Sequence, residues 1–94
     1  MPRILPLGWF ATTIAPTGLA FCVGCGLANA EGDLFFGAYN TGEIREVRLT
    51  QDRTDVSSMF IAYRNDQSVL SMQRAPDGAL YFSTPTAIYR LIPA

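Results

Sequence analysis

Apolar residues occur along this chain in short runs, separated by polar residues, glycines and prolines. The runs are rich in aromatic and β-branched residues, and helical periodicity is hard to find, so the pattern predicts strands joined by turns. The turn segments Asn40-Thr41-Gly42 and Ala75-Pro76-Asp77-Gly78 have the composition of tight turns. We therefore predict an all-β chain with strands at residues 18–22, 33–39, 43–49, 58–64, 68–74, 79–83 and 86–92.

One stretch of the sequence occurs twice in a loose form. Gly32-Asp33-Leu34-Phe35-Phe36-Gly37 is echoed 46 residues later by Gly78-Ala79-Leu80-Tyr81-Phe82-Ser83. A period of roughly 40–50 residues with several short strands is typical of β-propeller blades. The repeat predicts about two four-stranded antiparallel blades, over residues 17–64 and 65–94, after an N-terminal extension or added strand over residues 1–16. The second blade has three predicted strands, and residues 4–14 are a candidate for its missing outer strand, from the same chain or a neighbour's.

The length of the chain limits how much of its surface it can bury. Its 94 residues are enough for one small domain. Repeat architectures generally need three or more units for stability, and two blades leave faces uncovered. We expect either a fragment of a longer protein or copies that assemble side by side into a closed homo-oligomer. A composition that is 49% hydrophobic and 16% charged agrees with an apolar surface meant for a partner.

Charge and composition exclude several function classes. The net charge is −1 and there is no basic run, so we predict no nucleic-acid partner. No segment approaches the roughly 18 uninterrupted apolar residues of a membrane span, so we predict no membrane partner. The chain has no His, and all seven of its cations are Arg. Without His the chain lacks the commonest general base and the commonest metal ligand, and without Lys it cannot form a Schiff base. These absences argue against catalysis and against a metal site of the usual kind.

The N-terminal 30 residues have some features of a signal peptide. Arg3 is followed by a mostly apolar run that ends at Ala28-Asn29-Ala30. Prolines and glycines interrupt that run, which makes a signal peptide the weaker interpretation. A small secreted protein that begins near Glu31 is therefore a third hypothesis, behind the two functions given below.

Cys22 and Cys25 form the only motif with intrinsic reactivity. A zinc site would need two further ligands, and the chain has no His and no third Cys. A redox dithiol is usually at a helix N-terminus, whereas this pair follows a predicted strand and leads into a glycine-rich loop. A local disulfide or two inert thiols is the favoured interpretation.

Two further features have a structural and a functional interpretation. Glu43 and Glu46 are three residues apart in one predicted strand, so we expect them on opposite faces and not as an acid pair. Arg45 and Arg48 alternate with them, which indicates a polar edge or cross-strand ion pairs. Trp9 lies outside the repeats, and it either packs or lines a ligand pocket.

Three segments together resemble a known family. Ala15 to Phe21, Gly32 to Gly37, and Val69 to Tyr81 are similar to the C-terminal blades of the glucose/sorbosone dehydrogenase-like proteins. These are six-bladed propellers that use pyrroloquinoline quinone (PQQ). The resemblance covers nearly the whole chain, but only about the last quarter of such an enzyme. It implies a propeller fold and a periplasmic or secreted location.

The resemblance does not carry over the family's cofactor site. The family's basic residues before the Pro-Asp-Gly turn correspond here to Ser68-Val69-Leu70-Ser71, which is neutral. A Lys of the hairpin region is replaced around Tyr39 and Asn40, and the catalytic His and calcium ligands belong to earlier blades. Because an anionic tricarboxylate needs cationic partners, we predict no cofactor for this chain alone. Trp9 and Thr13 resemble residues ahead of the family's Ala-Pro segment, which leaves Trp9, Thr13, Tyr39 and Asn40 as a candidate ligand pocket.

Two functions from different classes follow. The first is a non-catalytic propeller-blade protein that self-associates and binds a small ligand or a protein partner near Trp9 or Tyr39. The alternative is a piece of a PQQ-dependent sugar dehydrogenase that is active only within a longer chain or a complex.

Overall fold

The computed structural model of this protein describes Phe10 and residues 13–93. These residues form two antiparallel sheets and contain no helix, which confirms the predicted all-β fold. The strands are β1 (Pro16–Phe21), β2 (Leu34–Ala38), β3 (Glu43–Leu49), β4 (Val56–Arg64), β5 (Ser71–Arg74), β6 (Leu80–Ser83) and β7 (Ile88–Arg90). No membrane-spanning helix is found in this part of the chain.

The strands follow one another as two meanders. Sheet A has the order β1-β2-β3-β4, and sheet B has the order β5-β6-β7. Consecutive strands pair antiparallel in both sheets, which is consistent with propeller-like blades of four and three strands. The sheets are therefore unequal, and β7 forms the edge of sheet B.

Glycines at positive φ form the predicted turns. Gly42 (φ 71°) closes the β2–β3 turn by donating its N–H to the carbonyl of Ala38 at 3.0 Å. Gly78 (φ 95°) closes the β5–β6 turn in the same way, onto the carbonyl of Ala75 at 2.9 Å. A Cβ on Gly42 would meet the carbonyl oxygen of Asn65 at 2.5 Å, so this turn needs glycine for both conformation and space.

The main core lies between the two sheets. Successive residues of a strand point to opposite faces, so Phe35 faces sheet B and Phe36 faces away from it. Gly37 allows the Val69 side chain to approach the backbone of β2. The buried members of this core are Ala20, Cys22, Cys25, Ala30, Phe35, Ile44, Val69, Met72, Leu80 and Phe82.

The opposite side of sheet A, here called the outer face, carries a second apolar cluster. Its buried members are Ile14, Phe36, Ala38 and Val47, and Phe10 packs against them with its ring centroid 6.0 Å from that of Phe36. No other strand of the described residues covers this face.

Two strand ends differ from prediction. We predicted a strand over residues 68–74, whereas β5 begins at Ser71. Residues 65–70 connect sheet A to sheet B, and Val69 is buried there with its carbonyl oxygen bound by the Thr17 hydroxyl at 2.7 Å. Likewise, β7 is shorter than the predicted strand over residues 86–92, since Thr84 to Ala87 form the tight turn before it.

Candidate functional site

Three of the four predicted pocket residues lie together at one end of the molecule. This end, here called the turn end, is formed by residues 39–42, 65–70 and 84–87. The Asn40 side-chain amide donates to the carbonyl of Thr13 at 3.0 Å, and the Tyr39 N–H donates to the carbonyl of Ala15 at 2.9 Å. The Tyr39 side chain is 48% exposed. Trp9 lies outside the described residues, so the four-residue pocket stays a prediction.

The side-chain hydrogen bonds at the turn end are made by neutral groups, and Asp66 is the one charged residue in its three segments. The Asn65 side-chain amide donates to the carbonyl of Gln67 at 3.2 Å, and the Thr86 hydroxyl donates to the Gln67 side-chain oxygen at 2.8 Å. The Asn65 N–H donates to the carbonyl of Gly42 at 2.8 Å, which ties the two connections together. Such groups suit a neutral polar ligand better than an anion.

The arginines nearest the turn end are engaged by one carboxylate. Arg45 Nη2 lies 2.8 Å from one oxygen of Glu43, and Arg64 Nη1 lies 2.9 Å from the other. Burial acts to raise the pKa of Glu43, but Arg45, the Thr41 hydroxyl and Arg64 outweigh it and hold that pKa below its ordinary value. An anionic ligand would have to compete with Glu43 for these guanidinium groups.

A second charged cluster lies on the opposite face of sheet A, beneath β4. Arg48 donates through Nε and Nη2 to one oxygen of Asp33, at 3.2 and 3.0 Å. Its Nη2 is 3.6 Å from Glu46, and its guanidinium lies over the Phe60 ring at 5.6 Å. Glu43 and Glu46 are therefore on opposite faces of β3, as predicted, and do not form an acid pair.

The Glu46 carboxyl is the most perturbed acid in this cluster. Its side chain is 9% exposed. Burial, together with the adjacent carboxyl of Asp33, raises the pKa of Glu46 to about 7, although Arg48 acts in the opposite direction. A substantial fraction of Glu46 is protonated at neutral pH, so this carboxyl can donate as well as accept a hydrogen bond.

Glu46 borders a groove of about 540 Å³ between β4 and the C-terminal residues 91–93. The groove is mainly apolar, and its walls come from Phe35, Phe60, Tyr63 and Leu91 in addition to Glu46. Sequence analysis missed this groove because its lining comes from five separated segments. Glu46 did not stand out in the sequence, since four of the seven residues of β3 are charged.

Cys22 and Cys25 form a disulfide in the loop between β1 and β2, with their Cα atoms 5.1 Å apart. Both residues are buried within the main core. The same loop is held by Glu31, whose carboxylate accepts the Gly24 N–H at 2.9 Å. The described residues contain no group of three His, Cys, Asp or Glu side chains that would hold a metal ion.

The neutral stretch Ser68-Val69-Leu70-Ser71 has structural roles. Val69 is fully buried against Gly37. The Ser71 hydroxyl lies 2.8 Å from the hydroxyl of Ser83, and Leu70 is an exposed apolar side chain. None of these three side chains can offer a positive charge to a carboxylate.

Comparison with known proteins gives one match. A family model described as Glucose / Sorbosone dehydrogenase matches residues 4–92. No curated protein and no solved structure matched the chain.

Proposed function

Because this chain belongs to the glucose/sorbosone dehydrogenase family, we propose that it is a non-catalytic, blade-forming member of that family that functions through self-association and binding. The observation that carries the proposal is a hollow on the apolar outer face of sheet A, which no other strand of the described residues covers. That face has a hollow of about 280 Å³ lined by Phe10, Pro16, Leu19, Leu34, Phe36, Val47, Val56 and Met59.

The occupant of this hollow is the exposed side of sheet B in a second copy. Ile88 and Ile92 are 78% and 66% exposed there, and Leu19 at the rim of the hollow is 64% exposed. The two apolar surfaces belong to different sheets of one chain, so the contact between copies is heterologous. Contacts of this type close into a ring when the rotation between copies allows it.

The polar side chains of this chain are better suited to binding a ligand than to catalysing a reaction. The chain contains no His and no Lys, and Arg45 and Arg64 are held by Glu43. PQQ carries three carboxylates, and the neutral side chains of Val69, Leu70 and Ser71 do not fit it. The turn end, with Thr13, Tyr39 and Asn40, is the proposed position for a small polar ligand or a protein loop.

The alternative function is a part of a PQQ-dependent sugar dehydrogenase that is active only in a longer chain or a complex. The family match over residues 4–92 favours it. In that case, the cationic partners of the quinone would come from blades outside this chain.

Cofactor titration separates the two functions. Purified full chain is titrated with PQQ, and the quinone absorbance is followed. We expect no saturable change at micromolar concentrations, and a saturable change would support the dehydrogenase alternative.

Self-association is tested by measuring the mass of the full chain and two variants with light scattering. Leu19→Glu places a charge at the rim of the outer-face hollow and is expected to lower the mass. Thr54→Glu, on an exposed turn, is the matched control and should leave it unchanged. Equal masses for all three chains would argue against the outer face as the contact surface.

A further inference from the structure

The edge of sheet B formed by β7 has the properties of a strand-acceptor site. We propose that it receives an extended strand from a second copy of this chain, namely residues 3–9 of that copy. This inference rests on the proposed self-association and names the segment that completes sheet B.

Within Phe10 and residues 13–93, the backbone of β7 has no pairing partner on the side away from β6. The Leu91 N–H donates to the carbonyl of Leu80 at 2.9 Å, and Tyr81 and Ser83 are the register partners of Arg90 and Ile88. In an antiparallel ladder the hydrogen-bonded residues alternate, so the N–H and C=O groups of Ile88, Arg90 and Ile92 point away from β6. Among the described strands β7 pairs only with β6, which leaves a row of donors and acceptors for an added strand.

The groove beside β7 provides room for the side chains of that strand. Sheet A ends in β4, a strand of nine residues, whereas β7 has three. The Phe60 and Tyr63 side chains of β4 are exposed beside the 540 Å³ groove. A smaller hollow of about 210 Å³ continues it past Tyr89. Alternate side chains of an added strand would enter this space, as in other cases of recognition by strand addition.

Residues 3–9 match the groove in polarity and charge. The segment reads Arg3-Ile4-Leu5-Pro6-Leu7-Gly8-Trp9, which is apolar apart from one cation. Glu46 borders the groove, and its nearest cation, Arg48, makes its shorter contacts with Asp33. Arg3 would supply a positive charge for Glu46. Pro6 has no N–H to donate, and prolines in sheets are tolerated on edge strands.

The position of Phe10 favours a second copy as the source of the segment. Phe10 packs on the outer face of sheet A, against Phe36 and beneath Arg45. The β7 groove lies on the opposite face, so a segment that leads into Phe10 of the same chain would have to pass around β4. With strands about 4.8 Å apart and layers about 10 Å apart, this path takes roughly 20 Å. At about 3.3 Å per residue it would use about six residues before Phe10, which leaves too little of residues 3–9 to pair with β7.

The proposal is tested by cysteine cross-linking between two differently tagged full-length chains. One chain carries Leu5→Cys, and the other carries Ile88→Cys or Ile92→Cys. Mild oxidation should give a disulfide-linked dimer of the two different chains. Gln73→Cys is the matched control, since Gln73 lies on β5 of the same sheet, two strands from β7, and it should not cross-link. A cross-link confined within a chain that carries both Leu5→Cys and Ile88→Cys would overturn the second-copy assignment.

A second pair of variants tests the backbone pairing. Arg90→Pro removes an N–H that points to the free edge without removing a bond to β6, and Arg90→Ala keeps that N–H. We expect Arg90→Pro to reduce the cross-link several-fold and Arg90→Ala to retain it, with both variants showing native circular dichroism. Equal cross-linking in the two variants would overturn the pairing on β7.

The mass of the wild-type chain distinguishes the failure of this inference from the failure of the proposed function. An oligomer that gives no Leu5→Cys cross-link contradicts strand addition and leaves self-association intact. A monomer at every concentration contradicts both.

Discussion

Replacing Glu46 with Gln should remove a pH dependence from the stability of the chain. The pKa of Glu46 in the folded chain is about 7, above its ordinary value of 4.5. Between these two values the folded state binds more protons than the unfolded state. The stabilisation from this group is therefore complete below about pH 4.5 and is lost as the pH rises through 7.

The structure sets the size of the effect. One pKa unit corresponds to about 1.36 kcal/mol, so the full difference between the two values corresponds to about 3 kcal/mol. The Glu46 carboxyl borders an open groove, so water can reach it, and the neighbouring Asp33 can change its position or protonation when Glu46 ionises. Both effects make the change in stability smaller than about 3 kcal/mol. We expect wild-type stability to fall by about 1–2 kcal/mol between pH 5 and pH 8. The Glu46→Gln variant should stay nearly constant and be the more stable chain at pH 8.

The assay is urea unfolding followed by fluorescence at pH 5, 6, 7 and 8, at one fixed protein concentration because assembly also stabilises the folded chain. Glu43→Gln is the matched control on the opposite face of β3. Glu43 has a lowered pKa, so its stabilisation is present above pH 4.5 and is lost as the pH falls. The free energy of unfolding of Glu43→Gln should be about 1–3 kcal/mol lower than that of the wild type at pH 7, because Arg45 and Arg64 would lose their shared carboxylate. If Glu46→Gln keeps the wild-type slope, the raised pKa of Glu46 is wrong.

Two further predictions concern the packing between the sheets and the disulfide. In Gly37→Ala the added methyl group would overlap the Val69 side chain, so thermal unfolding should show a loss of about 1–3 kcal/mol in the free energy of unfolding. The control Gly24→Ala has open space around the new methyl group but a φ of 70°, and it should lose only about 1 kcal/mol of that free energy. A larger loss for Gly24→Ala than for Gly37→Ala would contradict the packing of Val69 on Gly37. Reduction of the Cys22–Cys25 disulfide opens a loop of only four residues, so the chain-entropy term predicts a loss of no more than about 2 kcal/mol in urea unfolding, and complete unfolding by reductant alone would contradict this.

The fold was largely predictable because short aromatic and β-branched runs are separated by turns that contain glycine and proline. Phe35 is buried between the two sheets, and Phe36 is buried on the outer face of sheet A. The Asn40-Thr41-Gly42 turn was predictable for a local reason, since Gly42 needs positive φ. The start of β5 was not, because Val69 is buried by contacts with the distant Gly37 and Thr17 rather than by strand pairing.

The candidate site was predictable only in part. Thr13 and Asn40 are brought into direct contact by the pairing of β1 with β2, 27 residues apart in sequence. The groove at Glu46 depends on where β4 lies relative to residues 91–93, which is a property of how the two sheets stack. Local sequence patterns carry no information on that stacking, so neither the groove nor the raised pKa of Glu46 was foreseen.

The most direct test of self-association is the mass of the full chain in solution, measured by light scattering after gel filtration over a wide concentration range. One chain has a mass of 10.3 kDa. We predict a discrete closed oligomer, and three copies with two blades each would have a mass of about 31 kDa. A species of 10.3 kDa at every concentration would contradict the proposed self-association.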